Sequence, residues 1–166
     1  METDKTMRLT EHFTLGEMCR TSVKTGEGNL PPSAEVVANL RRVCGWLERL
    51  RQRYNERYVS QPSAISLQTS EEEGIVVNSG YRGEAVNRAV GGSATSNHLT
   101  GCAADIRVAG MEQLLRYAVI LLDISDETGE AFDELLLERN ARGAYWLHFA
   151  VRPADRENRR KVRLIK

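Results

Sequence analysis

Two short segments, far apart in the 166-residue chain, alternate apolar side chains with side chains that carry chemistry. In 103–108, Ala104, Ile106 and Val108 form an apolar set, and Ala103, Asp105 and Arg107 form the other. In 145–151, Tyr145, Leu147, Phe149 and Val151 are apolar, and Trp146, His148 and Ala150 alternate with them. Successive side chains of a strand point to opposite faces. If both segments are strands pressing their apolar sets on one core, Asp105 and His148 project from the same side of one sheet. Few folds satisfy that requirement, and it shapes the reading of everything around it.

The remaining elements fit a helices-then-sheet order. Thr14, Leu15, Gly16 and Glu17 match a capping box, with Thr14 as N-cap and Glu17 at N3, opening a short helix. Residues 21–29 read as a loop, and Pro31 and Pro32 mark the entry to a long helix. There Val36, Leu40, Val43, Leu47, Leu50 and Tyr54 recur at alternating steps of four and three, one apolar stripe under an Arg/Glu-rich solvated face. Segments 75–77, 132–138 and 162–165 are further strand candidates, the last an edge. Residues 83–90 predict a short helix closed by Gly91, and 111–123 a longer amphipathic one. Residues 1–10 are expected to be loose and 60–73 to be a loop insertion. The whole, 1–166, reads as one α+β domain: a small, mostly antiparallel sheet with N-terminal helices packed on one face.

Composition narrows the function classes. Lys plus Arg number 23 and Asp plus Glu 23, so bulk positive charge is not available to hold nucleic acid or an anionic membrane. No run approaches 18 apolar residues, which argues against a membrane span. The opening METDKTMRLTEHF lacks the apolar run of a secretory signal, so the expectation is synthesis in the cytoplasm. Cys19, Cys44 and Cys102 are an odd count without CxxC spacing and support neither a disulfide framework nor a thiolate zinc site. Nothing demands more than a monomer.

Of the three histidines, His12 reads as structural, while His98 arrives from the loop before the 103–108 strand, with Gly101 letting that loop turn back tightly. Two imidazoles and a carboxylate, His98, His148 and Asp105, are the donor set of a catalytic zinc site with an open position for water. The same set also suits iron(II). In 132–138, Leu135 and Leu137 look inward, so Glu134 and Glu138 share the other face. Either could take the proton of a metal-activated water, Glu138 at the strand end being preferred over Glu134. Each of these side chains also has a plain structural reading, from a satisfied strand histidine to a solvated carboxylate. On composition alone, Ser79, Gly80, Tyr81 and Arg82 are a turn with an exposed arginine.

The string Ser96-x-His98-x-x-Gly101-x-Ala103-x-Asp105, followed by Trp146-x-His148, resembles the signature of the M15 zinc peptidases. These are D-alanyl-D-alanine carboxypeptidases, dipeptidases and phage endolysins that cut peptidoglycan peptides. Asn78 to Arg82, Asn87 and Val90 to Ser93 are similar to the family's strand, arginine turn and helix, and Leu9 to Leu15 to the leader of its bacterial and phage branch. The resemblance implies zinc on His98, Asp105 and His148. It implies Arg82 on a substrate carboxylate or the scissile carbonyl, Ser96 orienting substrate or the metal loop, and Trp146 packed beside the site. Several members carry a catalytic Glu three residues before the last histidine, where this chain has Tyr145. The 132–138 run is similar to the FDQLxxE-like run of this branch, with Glu134 in place of the usual glutamine, and leaves Glu138 as the base.

The implied activity is hydrolysis of a peptide bond in peptidoglycan stem peptides, of D-Ala-D-Ala carboxypeptidase or L-Ala-D-Glu endopeptidase type, with action at the cell wall. Two rivals stand beside it. One is a zinc-stabilised wall-peptide-binding module without turnover, which Tyr145 keeps open. The other is a metal-free α+β interaction domain. The basic C-terminal stretch from Arg156 to Lys166 reads as a frayed edge strand that resists aggregation.

Overall fold

The stripe from Val36 to Tyr54 is buried along its length and sets the layering of the molecule. The computed structural model describes residues 4–60 and 71–165. In chain order the elements are α1 (Leu15–Met18), α2 (Ala34–Tyr54), β1 (Val77–Ser79), α3 (Glu84–Ala89), β2 (Ala103–Arg107), α4 (Met111–Thr128), β3 (Glu134–Arg139), β4 (Tyr145–Ala150) and β5 (Lys161–Ile165). A π-helical turn, Asn55–Val59, extends α2, and a 3₁₀ turn, Asn97–Thr100, precedes β2. The five strands lie in the order β1-β2-β4-β3-β5, antiparallel throughout except that β5 runs parallel to β3. This is the expected α+β architecture with a mostly antiparallel sheet.

One face of the sheet is given over to the core. Ala104, Ile106, Leu135, Leu147 and Phe149 are fully buried there against Leu40, Val43 and Leu47 of α2 and Leu114, Ile120 and Leu121 of α4. Burial of a leucine-sized side chain contributes roughly 2 kcal/mol, so a register slip that exchanged the two faces would cost many such terms at once. Trp46 ties α2 to the sheet, its ring 5.2 Å from Phe149 and edge-on to Phe132 at 6.5 Å. With that face occupied, the polar side chains of the same strands have only the opposite face.

Several boundaries differ from expectation for identifiable reasons. Leu9 is 4% exposed and joins the core with Phe13, and the Met7 carbonyl accepts from Leu15 N–H. Residues 7–14 are therefore a strap held by apolar anchors rather than a loose end. β1 begins at Val77, not Ile75: Val76 is exposed, although its carbonyl still accepts from Arg107 N–H. α4 runs five residues past Asp123 because Ile124 and Ser125 are buried, and it stops at Gly129 with φ +73°. The capping box at Thr14 and Glu17 forms in both directions. Most of the 60–73 insertion lies outside the described residues, as do 1–3 and 166. Among the described residues, no helix is long and apolar enough to cross a membrane.

Candidate metal centre

The antiparallel pairing of β2 with β4 sets Asp105 directly opposite His148, on the face turned away from the core. His98 reaches the same point from the 3₁₀ turn. Ser96 caps that turn, its hydroxyl accepting from the His98 N–H at 3.3 Å. Gly101 closes the turn at φ +72°, and a Cβ there would stand 2.8 Å from the Val36 carbonyl oxygen. The loop carrying His98 can thus lie against α2 only because position 101 has no side chain.

The three donor atoms converge. His148 Nδ1 is 2.9 Å from Asp105 Oδ1, and His98 Nε2 is 3.3 Å from each of them. Three donors bound tetrahedrally to zinc at its usual bond lengths stand about 3.3 Å apart. The spacing therefore suits one small divalent ion. Among the described residues this trio is the one His/Cys/Asp/Glu cluster with such convergence. All three are at least nine-tenths buried. The His98 ring is oriented from behind, its Nδ1 lying 2.6 Å from the Gly80 carbonyl oxygen, which leaves Nε2 facing the cluster. Gly80 is itself pressed on the chain beside α1, where a Cβ would meet the Met18 carbonyl at 2.4 Å.

Electrostatics in the cluster follow from burial set against charge. Burial holds the His98 imidazole below its ordinary value, hence neutral, as a ligand must be. Burial would raise Asp105, but His98 beside it and hydrogen bonds from both rings hold its carboxyl far below the usual range. Burial would likewise lower His148. Its hydrogen bonds to Asp105 and Glu134 overcome that and push it up to about 9. A site that holds a proton so firmly between carboxylates is rich in negative charge, and a cation on the Nδ1 side would take that proton's place.

The other candidates surround a cleft of about 570 Å³ lined by Arg82, Ser96, His98, Asp105, Glu134, Glu138, Trp146 and His148, among others. Arg82 has partners the sequence did not suggest: its Nη2 donates to the second oxygen of Asp105, and its Nε donates to Ser79 at 2.8 Å. Glu138 stands opposite Trp146 across β3 and β4 and accepts from the indole N–H; burial raises its carboxyl above the ordinary value. Glu134 is committed elsewhere. Oε2 faces His148 Nε2 at 3.3 Å and Asn97 Nδ2 at 3.1 Å, and Oε1 faces Arg159 and Lys161. The His148 hydrogen bond draws its carboxyl down to about 2, a poor value for a proton acceptor near neutrality. Tyr145 packs towards the core and under the Arg139 guanidinium, away from the cluster. Cys102, on the opposite side of β2 from Asp105, bonds weakly to the Thr100 carbonyl and stays outside the trio.

Asp133 belongs to the FDQLxxE-like run, but nothing in that resemblance gives it a role. It is fully buried, accepts from Arg159 three times and from Asn97 at 2.8 Å, and is ion-paired with Arg152, whose Nε lies 3.2 Å away. β5 is the exposed edge strand expected of the C-terminal basic stretch, but Arg159 and Lys161 within that stretch turn back onto Asp133 and Glu134 at the cluster's edge. Only the parallel pairing of β5 with β3 brings them there.

A buried two-histidine, one-carboxylate set opening on a polar cleft defines a candidate hydrolase with a metal at its centre. The chain matches the family model described as Peptidase M15 over residues 11–121, and it belongs to that family of peptidases. The match covers Arg82, Ser96, His98 and Asp105; Glu134, Glu138, Trp146 and His148 lie past its end and are joined to the first group by strand pairing. No curated protein matches the chain.

Proposed function

We propose that the protein is a zinc metallopeptidase that hydrolyses a peptide bond in peptidoglycan stem peptides. The observation carrying this reading is the spacing of His98 Nε2, Asp105 Oδ1 and His148 Nδ1 at 2.9–3.3 Å on the floor of an open cleft. Membership of the M15 peptidases supplies the reaction class. The substrate class is what the resemblance to the M15 peptidases implies, and it is supported by Arg82, which lines the cleft and pairs with Asp105 through one of its N–H groups.

His98, Asp105 and His148 would hold the ion. When bound, zinc supplies a Lewis acid for the scissile carbonyl and brings the pKa of its water to about 7. Glu138 takes the proton from the attacking water and delivers it to the leaving amine nitrogen, so that the C–N bond breaks with a neutral amine departing. Its raised carboxyl suits that exchange better than an ordinary glutamate would. Arg82, braced by Asp105 and Ser79, offers its remaining N–H groups to a substrate carboxylate or carbonyl. Ser96 keeps the His98 turn in shape, and Trp146 holds Glu138.

The reading is tested with zinc-loaded protein and purified muropeptides, the products being weighed by mass spectrometry. Loss of a terminal D-alanine identifies a carboxypeptidase, and a cut between L-Ala and D-Glu identifies an endopeptidase. Zinc-loaded protein that binds stem peptides and releases no product would instead be the binding module that Tyr145, at the position where relatives carry their glutamate, leaves open.

A further inference from the structure

We propose that Glu134 is a positioning residue for the metal centre: its carboxylate fixes the His148 ring with Nδ1 turned to the ion and strengthens that nitrogen as a donor. The inference rests on the reading of His98, Asp105 and His148 as ligands. The geometry is specific. His148 uses Nδ1 towards Asp105 and His98, and its far nitrogen, Nε2, lies 3.3 Å from Glu134 Oε2. An imidazole that ligates through one nitrogen and donates the other N–H to a carboxylate is held in one tautomer and made more basic.

The carboxylate is itself held on every side. Asn97 Nδ2 donates to Oε2 at 3.1 Å and to Asp133 at 2.8 Å, while Arg152 Nε donates to Asn97 Oδ1 at 2.9 Å. Arg159 at 3.0 Å and Lys161 at 3.3 Å engage Oε1. Asn97 and His98 are neighbours in one turn, so the clamp on Glu134 also registers that turn against β3 and β4. Both histidines are thereby locked through backing groups on different elements, Gly80 for His98 and Glu134 for His148.

The test measures zinc affinity by competition with a chelator on the full chain, for the parent, Glu134→Gln and Glu134→Ala, alongside the absorption spectrum of the cobalt(II)-loaded forms. Glutamine keeps an acceptor for the Nε2 proton and loses the charge, so about a 10-fold weakening is expected; alanine loses both, for about 100-fold. The cobalt bands should shift in the same order, which a change of general stability alone would not produce. Glutamine has the size of the native side chain, so that variant decides the charge contribution even where the alanine variant folds poorly. A glutamine variant that binds zinc as tightly as the parent would overturn the charge contribution, and a folded alanine variant that does so would overturn the whole inference. A parent chain that takes up no zinc would sink the metal centre itself, an outcome separate from both.

Discussion

Glu138→Gln should leave zinc in place and remove turnover. Glutamine matches glutamate in shape and can still accept from the Trp146 indole, so neither β3 nor the ligand trio has cause to move. What disappears is the ability to take a proton from water and hand it on. A positioned general base contributes about 10²–10⁴ in rate, and kcat on a cleaved muropeptide should fall by that factor with KM little changed. The contrast with Glu134 is instructive, since the two carboxylates share a face of β3 and lie two strand repeats apart, with Leu136 between them. Glu134 is clamped by a histidine, an asparagine and two cations; Glu138 has one neutral donor and a half-buried carboxyl raised by its partial burial. Full-rate turnover by Glu138→Gln would move the base to another group.

Asp133→Asn should cost about 3 kcal/mol at neutral pH, although the side chain touches neither ligands nor cleft floor. The carboxylate is fully buried, accepts from Arg159 and Asn97 at once, and is ion-paired with Arg152 as well. Replacing one of its oxygens by an NH₂ sets donor against donor inside a dry pocket, which is among the more damaging changes a core can suffer. The pH dependence has a definite sign. Burial would raise the carboxyl, but Arg159 and Asn97 hold it below its ordinary value near 3.9. Its contribution is therefore complete above about pH 4 and is lost as pH falls further through the folded value. Urea unfolding of the two proteins should differ most at pH 7 and converge below pH 4; a gap that is constant across that window, or below about 1 kcal/mol at pH 7, would remove Asp133 from this role.

The outer face of the sheet was readable in the sequence because side-chain alternation is a local property. Ala104 and Ile106 against Asp105, Leu147 and Phe149 against His148, and Leu135 against Glu134 and Glu138 each state which way their strand turns, and the pairing puts Asp105 opposite His148. The clamp around Glu134 was not readable, for an equally physical reason. Asn97, Asp133, Arg152, Arg159 and Lys161 come from four separate stretches: the pairing of β2 and β3 with β4 brings the first three together, and β5, returning parallel to β3, adds the last two. No local period encodes that return, and six cations near the C-terminus resemble a solvated edge until the partner strand is known. The N-terminal strap is illegible on similar grounds: Leu9 and Phe13 are two apolar residues in a polar stretch, and only the assembled core accounts for their burial.

The central claim is that one ion sits among His98, Asp105 and His148, and metal content tests it most directly. Protein grown with zinc and purified without chelator should carry one zinc ion per chain by elemental analysis, falling to background in His98→Ala and in His148→Ala while both variants stay folded. A parent chain as free of zinc as those variants would contradict the account.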